Sequence, residues 1–287
     1  MEVDCEGCAG CCLDWRTLAP EGVDHGHERR GEYRPLDDID NLVPLSRDEV
    51  RTFLDAGHGG ALVARLFRMT DGPGVSVGGV DVAAVRGRPA FLVGLRKVPK
   101  PVAPFDTDAH WLPSCVFLDP ETLQCRIHGG DLYPETCSAY PGDNLALDAE
   151  TECERVERVR GGDRLLDDDP LDDAGPVIGP GSIGARVFVH PEPDRIEGVV
   201  ERLAAGEATR ADHAEFVGVA AASSPGTLLV DDDRHERARE RALDGESWVD
   251  DAIAEWSARV AEEAPDPTAA TGVEADRGAP ETPGWAE

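Results

Sequence analysis

The feature that most constrains this chain is a run of four cysteines near its N-terminus, at Cys5, Cys8, Cys11 and Cys12. Two-residue spacers let successive thiolates converge on one metal while the backbone turns between them, and glycines occupy two of the spacer positions. Three cysteines at this spacing match the C-x2-C-x2-C run of bacterial iron–sulfur sites, whereas zinc sites more often use paired C-x2-C units far apart in sequence. Clustered thiolates repel one another unless a cation lies among them. The run therefore predicts a metal site.

The adjacent pair Cys11 and Cys12 adds a constraint of its own. Side chains of neighbouring residues diverge in a helix and in a strand, so we do not expect both thiols to bind one mononuclear ion. One of them is expected to bind the first site. The other then reaches a second site or stays a free thiol.

Four more cysteines follow much later in the chain, at Cys115, Cys125, Cys137 and Cys153. Their spacing is too irregular for one local loop, but any of them can supply a remote fourth ligand to the N-terminal run. The preferred ligand set is Cys5, Cys8 and either Cys11 or Cys12, completed by Cys137. Cys115, Cys125 and Cys153 then form a second site or complete the first one differently. All eight cysteines are thus candidate metal ligands.

Histidine and tyrosine provide weaker candidates. His128 follows Cys125 by three residues and is the best non-cysteine ligand. The remaining candidates are two loop histidines and two tyrosines that precede prolines, namely His25, His27, Tyr133 and Tyr140. We expect the tyrosines to pack against turns rather than to react.

Four ordered motifs carry a resemblance to a known family: C-x2-C-x2-CC from Cys5, C-x-F-L from Cys115, C-x-I-H from Cys125, and P-x2-C-x2-Y-P around Cys137. Together they resemble the YkgJ-type cysteine-cluster family, which is described as zinc- or iron-chelating. The resemblance covers residues 5–153. Because that family includes proteins similar to flagellin lysine N-methylases, it also implies S-adenosylmethionine-dependent methyl transfer as an alternative activity.

The charge balance restricts the partners of the chain. With 58 acidic and 28 basic residues, the formal net charge is −30, which excludes the usual nucleic-acid-binding surface and disfavours anionic membranes. Such an acid excess with only two lysines resembles the composition of halophilic archaeal proteins. Neither a secretion signal nor a long apolar run is found, so we expect a cytoplasmic protein with reduced thiols. An unidentified protein partner remains open.

The predicted fold class is α+β. Residues 1–160 are predicted to form a small, loop-rich cysteine-cluster metal domain with a helical insertion, followed by a linker at 161–184. An acidic, mainly helical region is predicted at 185–263 and a disordered tail at 264–287.

Individual elements are also predicted. A capping box at Ser46 and Glu49 opens a helix, and the apolar run 62–69 is expected to continue a helical hairpin. Strands are expected at 75–85, 90–95 and 185–189, with a hairpin turn at 86–89. Four helices are expected at 193–205, 210–222, 233–243 and 247–261.

The sequence therefore predicts a metal-binding cysteine-cluster protein that holds an iron–sulfur cluster, of the 4Fe–4S type, in a redox or cluster-dependent role. The alternatives are a structural zinc module for protein interaction and the methylase-like enzyme. Whether the protein is an enzyme, and on which substrate, is left open by the residues.

The net charge leads to a prediction about solvent. We expect the melting temperature to fall as potassium chloride is lowered from molar concentration to about 0.1 M, where the Debye length reaches about 10 Å and acidic groups repel one another over longer distances. Thermal melts followed by circular dichroism across that range test this. A melting temperature independent of salt would contradict the halophilic interpretation.

Overall fold

The structure is a computed structural model that describes residues 2–23, 33–37, 39–69, 74–146, 149–167, 180–262 and 265–283. The predicted candidates His25 and His27 lie outside the described residues. So do residues 168–179 of the predicted linker.

Helices and strands are both well represented, which confirms the predicted α+β class. The strands are β1 (Glu2–Val3), β2 (Tyr33–Pro35), β3 (Leu62–Met69), β4 (Gly74–Val77), β5 (Val80–Val85), β6 (Arg88–Leu95), β7 (Lys97–Val102), β8 (His110–Cys115), β9 (Leu165–Asp167) and β10 (Phe188–Val189). The α-helices are α1 (Arg47–Asp55), α2 (Glu135–Ala139), α3 (Gly142–Ala146), α4 (Glu152–Arg160), α5 (Glu197–Ala205), α6 (Arg210–Ala222), α7 (Asp232–Leu243) and α8 (Trp248–Val260). None of the described helices is both long enough and apolar enough to cross a membrane.

A six-stranded antiparallel sheet forms the centre, with strand order β10-β6-β3-β5-β4 and β2 paired to β3. The hairpin of β5 and β6 turns at Arg86–Gly87, as predicted. Both residues have positive φ, of 51° and 74°. A two-residue turn with this conformation twists in the sense that antiparallel strands require, and it fixes the register of Val85 opposite Arg88.

The prediction of a helical hairpin in the insertion is wrong in its second half. Helix α1 begins as predicted, with the Ser46 and Glu49 capping box, but residues 62–69 form β3. Both faces of β3 are covered: Leu66 is buried, and so is Arg65, whose guanidinium binds the Asp37 carboxylate at 2.8 and 3.0 Å. A strand covered on both faces loses the alternation that identifies strands in sequence, so its apolar run also fits a helix.

Two smaller sheets complete the strand pairing. β7 and β8 form an antiparallel hairpin in which Lys97 lies opposite Cys115. β1 pairs with β9, which brings the start of the chain to the end of α4.

The predicted acidic helical region packs on the sheet of the first region. Helix α6 lies on β3, and the Phe91 ring contacts Phe216 and Phe188 at centroid distances of 4.9 and 5.7 Å. The backbone N–H of Ala64 also donates to Nδ1 of His213. One apolar core therefore joins residues from both sides of the predicted linker.

The tail differs from its predicted disorder. Residues 265–283 contain two short 3-10 helices, and Val273 and Glu274 are almost fully buried. The backbone carbonyl of Pro265 accepts a hydrogen bond from Nε1 of Trp111. Composition suggested disorder because aliphatic residues are few, but this segment is fixed by hydrogen bonds and ion pairs to remote residues.

The shared core predicts the outcome of cleavage within residues 168–179. After a protease site is introduced there and cut, we expect the two fragments to stay associated, because separation would expose Phe91, Phe188 and Phe216 to water. Size-exclusion chromatography in molar potassium chloride measures this, with the same sample in urea as the dissociated control. Separate elution without urea would contradict the shared core.

Candidate metal centre

The N-terminal cysteine run folds as two consecutive turns. The backbone N–H of Cys8 donates to the carbonyl of Cys5 at 3.1 Å, and that of Cys12 donates to the carbonyl of Ala9 at 2.8 Å. Gly7 and Ala9 have positive φ, of 62° and 50°, which reverses the chain between successive thiols. A 3-10 helix, Gly10–Cys12, follows. The predicted turning of the backbone between thiols is therefore present.

A first thiol group forms where this loop meets α4. Gly10 allows the close contact, since a Cβ there would lie 2.9 Å from Cγ2 of Val156 and 3.5 Å from Sγ of Cys8. Cys8, Trp15 and Val156 form a small buried cluster of their own. Burial raises the pKa of Cys153, on α4, and the charges of Cys11, Cys5 and Cys8 raise it further. We name Cys5, Cys8, Cys11 and Cys153 the first thiol group.

A second thiol group forms against the main core. Leu13 bridges to Ser114, which places Cys12 beside the end of β8, and Leu118 bridges to Cys125. Cys12 and Cys125 pack against the main core, to which Cys115 belongs. We name Cys12, Cys115, Cys125 and Cys137 the second thiol group.

Charge interactions tie Cys137, on α2, into this second group. A hydrogen bond with Cys11 lowers the pKa of the Cys12 thiol, but burial and the charges of Cys115, Cys137 and Cys125 raise it overall. The ligand set preferred from the sequence completes the N-terminal run with Cys137, whereas the charges of Cys5 and Cys8 act on Cys153.

Cys11 and Cys12 are where the two groups meet. Their sulfur atoms lie 3.9 Å apart. The charge of Cys11 acts on thiols of both groups, among them Cys153 and Cys137. Thiols of the N-terminal run and thiols of the four later cysteines are thereby brought close to one another.

All eight cysteines are free thiols, and the pKa of each is raised. Burial is the main cause for Cys5 and Cys125, which both reach about 12, and for Cys8, which reaches about 11. Without a nearby cation these thiols are protonated at neutral pH. Thiolates form here only if a positive charge compensates them.

Both lysines of the chain, Lys97 and Lys100, lie near the second thiol group. Lys100 is fully buried, and its Nζ donates to the carbonyls of Val116 and Leu118 and binds Glu274 at 2.5 Å. Nζ of Lys97 is buried, and none of the residues that the structure describes hydrogen-bonds to it. Burial lowers the pKa of Lys97, while the charges of Cys12 and other acidic groups raise it.

Sequence reasoning missed Glu152 and Glu274, two buried carboxylates beside the thiols. Glu152 accepts hydrogen bonds from the Trp15 indole, from Asn41 at 2.8 Å and from Arg155 at 2.6 Å, which holds α4 against the N-terminal loop. The sequence signal that could have located Glu152 is the capping box of Thr151 and Glu154, which marks the start of α4. For Glu274 no local signal exists, since all its partners are remote.

The weaker candidates lie at the edge of this region. His128 is exposed, and its ring contacts that of Tyr133 in a tilted arrangement, at a centroid distance of 4.8 Å. The Tyr140 hydroxyl accepts a hydrogen bond from the backbone N–H of Glu152, and the Tyr133 hydroxyl donates to the carbonyl of Cys137. Both tyrosine hydroxyls therefore hydrogen-bond to the backbone beside or at a cysteine.

The side chains as placed do not form a finished coordination site. Over the described part of the chain, no three His, Cys, Asp or Glu side chains are arranged as a set that could hold a metal ion.

Comparison with known proteins places the chain in a family. A family model matches residues 1–286. The chain belongs to DUF7531, a family of unknown function. No curated protein and no solved structure matches the chain. The resemblance to the YkgJ-type family stays a prediction.

Glu274 provides a test of the tail's role at this centre. We expect Glu274→Gln to lower the free energy of unfolding by about 3 kcal/mol, because Lys100 and Arg126 then face a neutral amide in a buried place. Urea unfolding in molar potassium chloride measures the change. The exposed Glu281→Gln is the control and should change the free energy by less than about 0.5 kcal/mol. Equal effects of the two variants would contradict the buried ion pairs.

Proposed function

We propose that this chain is a cytoplasmic metal-binding protein whose cysteines hold an iron–sulfur cluster, of the 4Fe–4S type, in a redox or cluster-dependent role. The observation that carries the proposal is the convergence of eight free cysteines, drawn from the N-terminal loop, β8 and its following loop, α2 and α4. Buried cysteines that serve only as small apolar residues have no reason to collect from such remote segments.

The residues present fit a thiolate-bound metal. Nζ of Lys97 is buried and finds no acceptor among the described residues, which is costly for a polar group beside neutral thiols. Thiolates held by a metal would supply that acceptor, because Lys97 already interacts with the charges of Cys12 and Cys115. The donor set is all sulfur, which suits iron–sulfur clusters and zinc and disfavours calcium or magnesium.

The surrounding residues limit access of water. Trp15 and Val156 are fully buried beside Cys8, and Leu13 and Phe117 are fully buried beside the second thiol group. A bound 4Fe–4S cluster supplies one-electron transfer, and its reduction potential depends on burial and on nearby hydrogen-bond donors. This chain contributes both the burial and the nearby hydrogen-bond donors.

Iron–sulfur binding is favoured over zinc for two reasons. The C-x2-C-x2-C run is the spacing of bacterial cluster sites. Buried cations such as Lys97 and Lys100 also stabilise the additional negative charge that a cluster gains on reduction, whereas zinc does not change its charge.

Structural zinc is the second candidate, and one observation favours it. The cysteines fall into two groups of four, each thiol buried or half-buried, and closed four-thiolate sites are typical of structural zinc. In that case the metal holds the N-terminal loop, β8, α2 and α4 together, and the protein serves as an interaction module.

Metal content after anaerobic purification tests the proposal. We expect a brown protein with broad visible absorption, acid-labile sulfide, and more iron than zinc per chain. The control is the same preparation after exposure to air and chelator, which should lose colour and become less stable to heat. A shift of the melting temperature by added S-adenosylmethionine would favour the methylase-like alternative.

Each other outcome has a definite meaning. A colourless protein with tightly held zinc contradicts the redox role and supports the zinc module. A protein that carries no metal when purified anaerobically, with eight thiols reactive on unfolding, contradicts both.

A further inference from the structure

The two thiol groups differ in what surrounds them. The first group lies between the N-terminal loop and α4, and its Cys8 belongs to a small buried cluster with Trp15 and Val156. The second group belongs to the main core, through Cys115, Cys125 and Cys12. The thiols therefore stand against two distinct apolar environments.

The Cys11–Cys12 peptide lies between these environments. Both residues belong to the 3-10 helix Gly10–Cys12, in which successive side chains point about 120° apart. The next residue, Leu13, bridges to Ser114 and directs Cys12 toward β8, while Gly10 contacts α4 on the other side. Each group then has four thiols, the number that both zinc and a 4Fe–4S cluster take.

We propose that the eight cysteines form two separate four-thiolate metal sites, one of Cys5, Cys8, Cys11 and Cys153 and the other of Cys12, Cys115, Cys125 and Cys137. This inference rests on the proposed function and adds the number of sites and the ligands of each. The sulfur atoms of Cys11 and Cys12 are 3.9 Å apart, so the two sites are direct neighbours. Two clusters held by adjacent residues would be suited to passing electrons between them.

Lys97 lies nearer the second site. It is opposite Cys115 in the β7–β8 hairpin, and its buried Nζ finds no acceptor among the described residues. Its charge acts on Cys12 and Cys115 of the second group and also on Cys11 of the first. The charge of Arg164 acts on Cys5 and Cys8 of the first group. Lys97 therefore favours reduction at both sites and acts most directly on the second.

Metal counting on single-cysteine variants tests the division. The full chain is purified anaerobically, and iron, sulfide and zinc per chain are measured together with native mass spectrometry. We expect Cys8→Ser and Cys153→Ser each to retain half of the wild-type metal, held by the second site. Cys125→Ser and Cys137→Ser should each retain the other half. The double variant Cys8→Ser/Cys137→Ser should retain none.

Matched controls keep the result interpretable. Ser138→Ala, next to Cys137, should retain all the metal. Two variants are made for each group, so that a group remains tested if one variant does not fold, as judged by circular dichroism. For iron-loaded protein, Lys97→Met should lower the reduction potential of Cys8→Ser, which keeps only the second site. It should lower that of Cys137→Ser by less, because Lys97 acts on one ligand of the first site, Cys11, and on two of the second.

Three results would overturn the division. Loss of all metal in every single-cysteine variant means one shared site. Loss of metal from both sites in Cys11→Ser means that its sulfur bridges two ions. Metal for one site only in the wild type, retained in Cys125→Ser and Cys137→Ser, means that the second group is not a site. In all three cases the wild type still binds metal, so the proposed function survives, whereas a metal-free wild type removes both proposals.

Discussion

The packing of the Cys11–Cys12 turn between α4 and the end of β8 is the interaction on which the cysteine region depends. It requires Gly10, because any Cβ at that position would collide with Val156. It also requires the conformations at Gly7 and Ala9 that reverse the loop. With the turn in place, thiols that are more than a hundred residues apart in sequence become neighbours.

Burying so many polar groups at one place carries an energetic cost that the chain must compensate. Glu152 is satisfied by Trp15, Asn41 and Arg155, and Glu274 by Lys100, Arg126 and Trp256. These buried carboxylates hold α4 and the C-terminal segment against the cysteine region. Nζ of Lys97 is among the buried atoms that find no hydrogen-bond partner within the described part of the chain.

Much of the fold could be predicted from local patterns. The capping box at Ser46 identified α1, the pattern of 210–222 gave α6 with its correct bounds, and the turn at Arg86–Gly87 gave the β5–β6 hairpin. Errors arose where remote contacts decide the outcome. β3 is covered on both faces and so lost its alternation, and the C-terminal segment is held by ion pairs that composition does not reveal.

The amino-acid sequence alone determined which atoms can do chemistry: eight thiols, a run with the spacing of iron–sulfur sites, two lysines, and a large excess of acidic groups. It also indicated that Cys11 and Cys12 diverge, because neighbouring side chains must. Only the tertiary structure decided which remote thiols approach them: Cys11 acts on Cys153 and also on Cys137, and Cys12 is acted on by Cys115, Cys125 and Cys137. The spacing of cysteines in the sequence restricts which thiols can meet only when a short loop joins them. The approach of α4 to β8 depends instead on the packing of side chains that are distant in sequence.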